Sequence, residues 1–181
     1  MRRSCITYHL DPQGNIVYVD EAWDAMAEQQ QGSFPSTAVI LGRNIFDFIS
    51  DESCRHIYQS LIDQVQQKAQ SLSFPFRCDA PETRRFMEME IFPVAGGITG
   101  FKSCIINEEP RLPVALLEPD AEKSDALLVI CSWCMKVKVD AEHWLEMEQA
   151  IEHLAIFDVH PLPQLSHGIC PGCYAAMTRD L

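Results

Sequence analysis

Apolar and polar positions alternate in two short runs near the start of the chain. Ile6 to Leu10 is the first, and Asn15 to Asp20, with Ile16, Val17, Tyr18 and Val19, is the second. Asp11-Pro12-Gln13-Gly14 separates them, with Pro early and Gly late, as a β-turn requires. The pattern predicts a β-hairpin. From Glu21 to Gln31 the period changes, and Ala22, Trp23, Met26 and Ala27 fall on one face of a helix. Gly32 to Thr37 reads as a loop, and Ile45, Phe46, Phe48 and Ile49 as a short helical piece. Ser50 can then cap a long amphipathic helix with Asp51 and Glu52 in its first turn. The apolar face of that helix carries Cys54, Ile57, Tyr58, Leu61, Ile62 and Val65.

Three further runs have the two-residue period of strands. Leu72, Phe74, Phe76 and Cys78 form one, Met87, Met89 and Ile91 another, and Ile98 to Asn107 the third, after a Gly96-Gly97 turn. Residues 109–125 hold three prolines and several charges and read as a linker, tethered by Val114 to Leu117. The expected organisation is a domain over 1–108, this linker, and a small module over 126–181. In the module, Leu127 to Ile130 is an apolar strand running into Cys131. Met135 to Val139 alternates as a strand. Asp140 can cap a helix reaching Phe157, with Trp144, Met147, Ile151 and Leu154 on its apolar face. His160-Pro161-Leu162-Pro163 then opens an extended loop.

Composition places the chain among soluble globular proteins, at 47% apolar and 22% charged residues. Asp and Glu number 26 against 14 Lys and Arg, a formal charge of −12. Affinity for nucleic acid comes from Lys and Arg neutralising phosphates, so a nucleic-acid partner is not expected. An anionic membrane surface is excluded on the same ground. No apolar run reaches the length of about 18 residues that a membrane span needs. Two arginines follow Met1, but no apolar run follows them, so no signal peptide is expected. These features together point to the cytoplasm.

Eight cysteines are unusual for such a chain. Cys5, Cys54, Cys78 and Cys104 are scattered and read as small buried apolar residues. Cys131-Ser132-Trp133-Cys134 and Cys170-Pro171-Gly172-Cys173 are two C-x-x-C pairs separated by 35 residues. Four thiolates can hold one Zn²⁺ tetrahedrally, and each pair is short enough to reach one ion. In Cys-Pro-Gly-Cys, Pro fixes φ and Gly lets backbone amides turn toward the sulfurs. A module of this size has little core of its own, so a metal staple has a physical motive. Candidate metal ligands are therefore Cys131, Cys134, Cys170 and Cys173, with zinc the expected ion.

Other chemistries use the same residues. An iron–sulfur cluster accepts four cysteines, and two C-x-x-C pairs can form reversible disulfides. A thioredoxin-like oxidoreductase places C-x-x-C at a helix N-terminus after a strand, and the strand-like Met135 to Val139 argues against this for the first pair. A c-type haem needs Cys-x-x-Cys-His, and Met135 and Tyr174 stand at those places. His167, three residues before Cys170, is a further candidate ligand or a support for one. The chain has no G-x-S-x-G, phosphate loop or H-E-x-x-H, so no catalytic residue is expected. Thiol–disulfide exchange is the one enzymatic alternative.

The order hairpin, short helices, long helix and three strands resembles that of a PAS domain. Asp11-Pro12-Gln13-Gly14-Asn15-Ile16-Val17-Tyr18-Val19-Asp20-Glu21-Ala22-Trp23 is similar to the opening of that family. Leu41-Gly42-Arg43-Asn44-Ile45-Phe46-Asp47-Phe48-Ile49 is similar to its stretch before the long helix. The resemblance covers about residues 4 to 108. It implies an α+β fold with a five-stranded antiparallel sheet, helices over one face and a pocket between. It also implies sensing of a small ligand, light or redox state, or contact with a signalling protein partner, often as a homodimer. A haem would need an axial ligand on the long helix, where His56 and Tyr58 stand, and a haem is not expected. The cysteine-rich tail resembles, in Cys-Ser-Trp-Cys, Trp144 and Ser-His-Gly-Ile-Cys-Pro-Gly-Cys-Tyr, a tail of some bacterial signalling proteins. That implies a bacterial sensor.

Overall fold

The computed structural model describes residues 4–29, 35–156 and 159–179. The chain divides into two compact units, Met1–Pro75 with Met87–Ile106, and Phe76–Phe86 with Asn107–Asp180. Gln30 and Gln31 at the end of the first predicted helix, most of the loop after it, and Phe157 lie outside the described residues.

The predicted hairpin forms from β1 (Cys5–Leu10) and β2 (Ile16–Val19). Its turn is set by Asp11, whose carboxylate accepts the N–H groups of Gln13 and Asn15 at 2.9 and 2.8 Å. Gly14 sits at φ +84°, a conformation that a side chain disfavours. β3 (Leu72–Arg77), β4 (Thr83–Pro93) and β5 (Thr99–Pro110) complete a five-stranded sheet in the order β2-β1-β5-β4-β3. One face is buried with the expected period: Ile6, Tyr8 and Leu10 on β1, Met87, Met89 and Ile91 on β4, and Phe101 and Ser103 on β5.

Helices cover this face. α1 (Ala22–Gln29) brings Trp23, whose ring meets Tyr8 edge-on at 5.7 Å. α3 (Glu52–Lys68) buries Cys54, Ile57, Leu61 and Val65. Its Tyr58 ring lies 6.4 Å from Phe101, which in turn stacks on Tyr8 at 4.8 Å. The cap of α3 is Asp51 rather than Ser50, its carboxylate accepting the Cys54 N–H at 2.8 Å. A short α2 (Thr37–Ile40) follows the loop.

The two segments that carried the family resemblance are bonded to each other. Asn44 donates to the Gln13 carbonyl at 2.8 Å, and the N–H of Ile45 to the Gly14 carbonyl at 2.9 Å. Ile16 donates to the Arg43 carbonyl, and Gly42 to that of Ile16. Their joint presence in the sequence is therefore one structural feature.

The reading of the scattered cysteines needs one correction. Cys5 and Cys104 face each other in register across β1 and β5 and are joined as a disulfide. Spacing gave no sign of it, because the two positions are 99 residues apart. Cys54 is buried as expected, and Cys78 is half-buried.

In the second unit β6 (Lys123–Cys131) is central. It runs parallel to β9 (Leu162–Gly168) and antiparallel to β7 (Val137–Lys138), which pairs with β8 (Trp144–Leu145), giving the order β8-β7-β6-β9. The segment between Pro110 and Lys123 buries Val114 and Leu116 in the core of this unit.

Two expectations fail here. The helix predicted from Asp140 begins only at Met147, as α4 (Met147–His153). The Asp140 carboxylate accepts the N–H groups of Glu142 and His143, both at 2.8 Å, and so closes a turn between strands. Trp144 then pairs with Lys138 in the sheet. The segment after Pro161, read as a loop, is the strand β9. Its Pro163 is tolerated because, next to Leu162 whose N–H bonds toward β6, it points away from that strand, the one neighbour of β9 among the described residues.

Candidate metal centre

Cys131 is the last residue of β6, and the chain reverses immediately after it. The N–H of Met135 bonds to the Cys131 carbonyl at 2.9 Å, and the N–H of Cys131 to the Lys136 carbonyl at 2.8 Å. Met135 takes φ +61° to complete this turn. Cys134 is thereby folded back toward Cys131.

The second pair arrives through β9. Gly168 lies beside Cys131 in the parallel register, and its carbonyl accepts the Ser132 N–H at 2.9 Å. Cys170 follows as the N-cap of α5 (Pro171–Thr178), with Pro171 in its first turn. The N–H of Cys173 points at the Cys170 sulfur at 3.4 Å, and that of Cys170 at the Cys131 sulfur at 3.4 Å. The 35 intervening residues are thus taken up by β7, β8, α4 and β9, in place of one helix.

All four sulfurs lie within 4.8 Å of one another. The sulfurs of Cys134 and Cys170 are 3.7 Å apart. A tetrahedral ion with Zn–S bonds near 2.3 Å requires edges of about 3.8 Å, so the group can hold one metal ion. Cys131 and Cys170 are buried, and Cys134 and Cys173 half-buried. His167 is exposed on β9 and is not one of this group.

The thiols influence one another strongly. The Cys131 thiol is drawn down to about 4, chiefly by the hydrogen bond that the Cys134 thiol donates to it, with burial opposing and the Cys170 N–H assisting. Cys134 is pushed far up by making that bond and by burial. Cys173 is pushed up to about 12, first by burial and then by the negative charge on Cys131. Protons are shared because four thiolates at this spacing repel, and a dication relieves that repulsion.

The second pair, unlike the first, stands at a helix N-terminus after a strand, the arrangement of thiol oxidoreductases. In that chemistry the attacking cysteine is partly exposed. Here Cys170, the residue at the cap, is buried.

A group of charged residues that carried no sequence signal meets the first pair through one backbone bond. The N–H of Arg77 bonds to the Trp133 carbonyl, between the two cysteines, at 2.8 Å. Arg77 also pairs with Asp79 and, at 2.7 Å, with Glu146. The Asp79 side chain is fully buried and pairs with that of Arg111, itself 2% exposed, at 2.9 Å. Glu148 accepts from Arg84 at 2.6 Å. Bonded partners in this group lie up to 69 positions apart, so spacing could not reveal them.

On α3, His56 is exposed, whereas Tyr58 turns inward against Phe101. His56 therefore does not present an axial ligand to the interior. Among the described residues, no helix is long and apolar enough to cross a membrane.

No family model matches the chain. No curated protein matches it either. Among solved structures it is similar to the PAS domain of the Cronobacter turicensis RpfR quorum-sensing receptor in complex with C12:0, at 13% identity and TM-score 0.44, over 59% of this chain and 98% of that one. It is similar to the PAS domain of Bordetella pertussis BvgS, at 16% identity and TM-score 0.40, over 56% of this chain and 75% of that one. It is also similar to the PAS domain of Vibrio parahaemolyticus nitrogen regulation protein NR(II), at 17% identity and TM-score 0.35, over 56% of this chain and 87% of that one. The α+β fold, with the five-stranded antiparallel sheet and helices over one face that the resemblance to PAS domains implies, is present.

Proposed function

We propose that this chain is a signal-sensing or regulatory PAS protein whose C-terminal unit is built around a structural Cys₄ zinc site. Cys131, Cys134, Cys170 and Cys173 are its ligands. The observation that carries the zinc reading is the spacing of the four sulfurs, all within 4.8 Å. That spacing suits a single ion and leaves no room for the several irons and sulfides of a cluster. The site has no open position for a substrate, which favours a structural over a catalytic role. Output passes by contact to a signalling protein partner in the cytoplasm.

The test is metal analysis of protein purified without chelator, with an absorption spectrum, on the wild type and on Cys170→Ser/Cys173→Ser. The expected result is about one zinc per chain, no visible band, and loss of the metal in the double variant. Iron with a visible band would overturn the zinc reading. Metal-free protein whose thiols oxidise reversibly with mild peroxide would replace it with a redox switch.

A second reading concerns the five-stranded unit. Tyr8, Phe101, Trp23 and Tyr58 meet between helices and sheet, which favours a ligand-free interaction adaptor. Mass spectrometry of small molecules released on denaturation separates the two. A stoichiometric released compound supports sensing, and none supports the adaptor.

A further inference from the structure

The two outer strands of the second sheet differ in how they are guarded. β8 has two residues, Trp144 and Leu145, and is flanked by Asp140, Glu142 and Glu146. A short edge beside acidic groups resists further pairing. β9 has seven residues, Leu162 to Gly168, and none of them is charged. In a chain of net charge −12, that is a neutral, extended edge.

Its backbone polarity is set by the pairing with β6. The N–H of Leu162 reaches the Glu122 carbonyl, and the carbonyl of Gly168 receives the Ser132 N–H. In a parallel strand, successive residues point their N–H and C=O to opposite sides. Leu162, Gln164, Ser166 and Gly168 therefore face β6. Pro163, Leu165 and His167 face outward. Among the described residues, no strand lies beyond β9 in this sheet. Among the described residues, no loop or turn hydrogen bond engages the backbone of Leu165 or His167. Proline occupies an outward position, where it removes no ladder bond.

We propose that the outer edge of β9 joins two copies of this chain, β9 against β9, antiparallel about a two-fold axis at Ser166. Leu165 of each copy then stands opposite His167 of the other, and each such pair exchanges two N–H···O=C bonds. Pro163 stands opposite Ile169, so its missing N–H falls at the end of the ladder, where its carbonyl still accepts. The same strand supplies both sides, as an isologous interface requires. The neutrality of β9 matters for a second copy above all, because any charge on the strand would meet itself across the axis. Two such sheets merge into one of eight strands, with the short β8 and its acidic flanks at both ends.

The test compares His167→Pro with His167→Thr in the full chain, by sedimentation across a concentration series. Both variants remove the imidazole. Only proline removes the outward N–H, and it leaves the bonds to β6 in place. The expected result is a wild-type dimer, retained by His167→Thr. His167→Pro should weaken it about thirtyfold, from two lost net hydrogen bonds per dimer. Equal metal content in both variants shows that the neighbouring cysteines are undisturbed. Hydrogen exchange of the unmodified protein is the second readout: the Leu165 and His167 amides should gain protection as concentration rises. A monomer at every concentration overturns the proposal, as does a dimer indifferent to His167→Pro. So do these amides exchanging at the same rate at all concentrations.

Discussion

The two units solve the problem of stability in different ways. The unit on the five-stranded sheet stands on apolar packing: Leu10, Ile16, Ile57, Ile91 and Phe101 are almost wholly buried, and its aromatic rings touch in sequence from α1 through the sheet to α3. The second unit has an apolar cluster as well, around Ile130, Val137 and Met147. It also holds four thiols, two of them buried and two half-buried, and the buried Asp79–Arg111 pair. Buried charges and thiolates add little stability by themselves, but they make a fold intolerant of losing any one partner. The first unit should therefore yield gradually to mutation, and the second abruptly.

The sharpest way to break this contrast is to remove metal. With zinc bound, a strong chelator or Cys170→Ser/Cys173→Ser should cost the second unit on the order of 10 kcal/mol. Amides of β6, β7 and β9 should then exchange freely while those of β1, β4 and β5 stay protected. Simultaneous loss of protection in both units would show that they do not differ in this respect.

Next in size is Asp79→Ala, which strands Arg111 and Arg77 without their shared carboxylate. A loss of about 3–5 kcal/mol is expected, read as a lower denaturant midpoint. Phe101→Ala in the first unit should cost a similar amount, about 3–5 kcal/mol, from a cavity instead of a charge. The two are distinguished by salt, since only the Asp79 variant changes the balance of charges on which salt acts.

A smaller effect is expected of Asn44→Ala. Its side chain caps the turn at Ile45–Phe48 by accepting from the Phe46 N–H, and it ties Gln13 to that turn. About 1 kcal/mol should be lost, measured by urea unfolding. The smallest concerns pH. Burial raises the Glu148 carboxyl, but the hydrogen bond from Arg84 and the charges of Arg111 and Arg84 outweigh it, so its pKa lies below the ordinary value. The stabilisation is then present above the unfolded pKa and is lost as pH falls through the folded one. Urea midpoints of Glu148→Gln and wild type should converge on acidification. A gap that widens in acid would contradict this assignment.

Much of the first unit was legible because its elements obey one period each. The alternation of Met87, Met89 and Ile91 and the helical spacing of Ile57, Leu61 and Val65 both survive in the buried face. The second unit was harder. Asp140 followed by Glu142 satisfies the rules of a helix cap and of a turn alike, and only the pairing of Trp144 with Lys138 decides between them. Prolines flanking Leu162 hid β9, since they mark a loop unless the strand is an edge. The four sulfurs were predictable as a group, because C-x-x-C is itself a local geometry. The Cys5–Cys104 bond and the Asp79–Arg111 pair join distant positions, and nothing local marks them.

Met135 shows what such a design means for the history of the sequence. It holds a positive φ that favours glycine, immediately after Cys134, yet its side chain is 7% exposed within the apolar cluster. Glycine would relax the turn and leave a hole, whereas a larger branched side chain would fill the hole and resist the turn. Drift at this position is therefore confined to slim, unbranched apolar residues. The cysteine turn and the core beneath it can change only together.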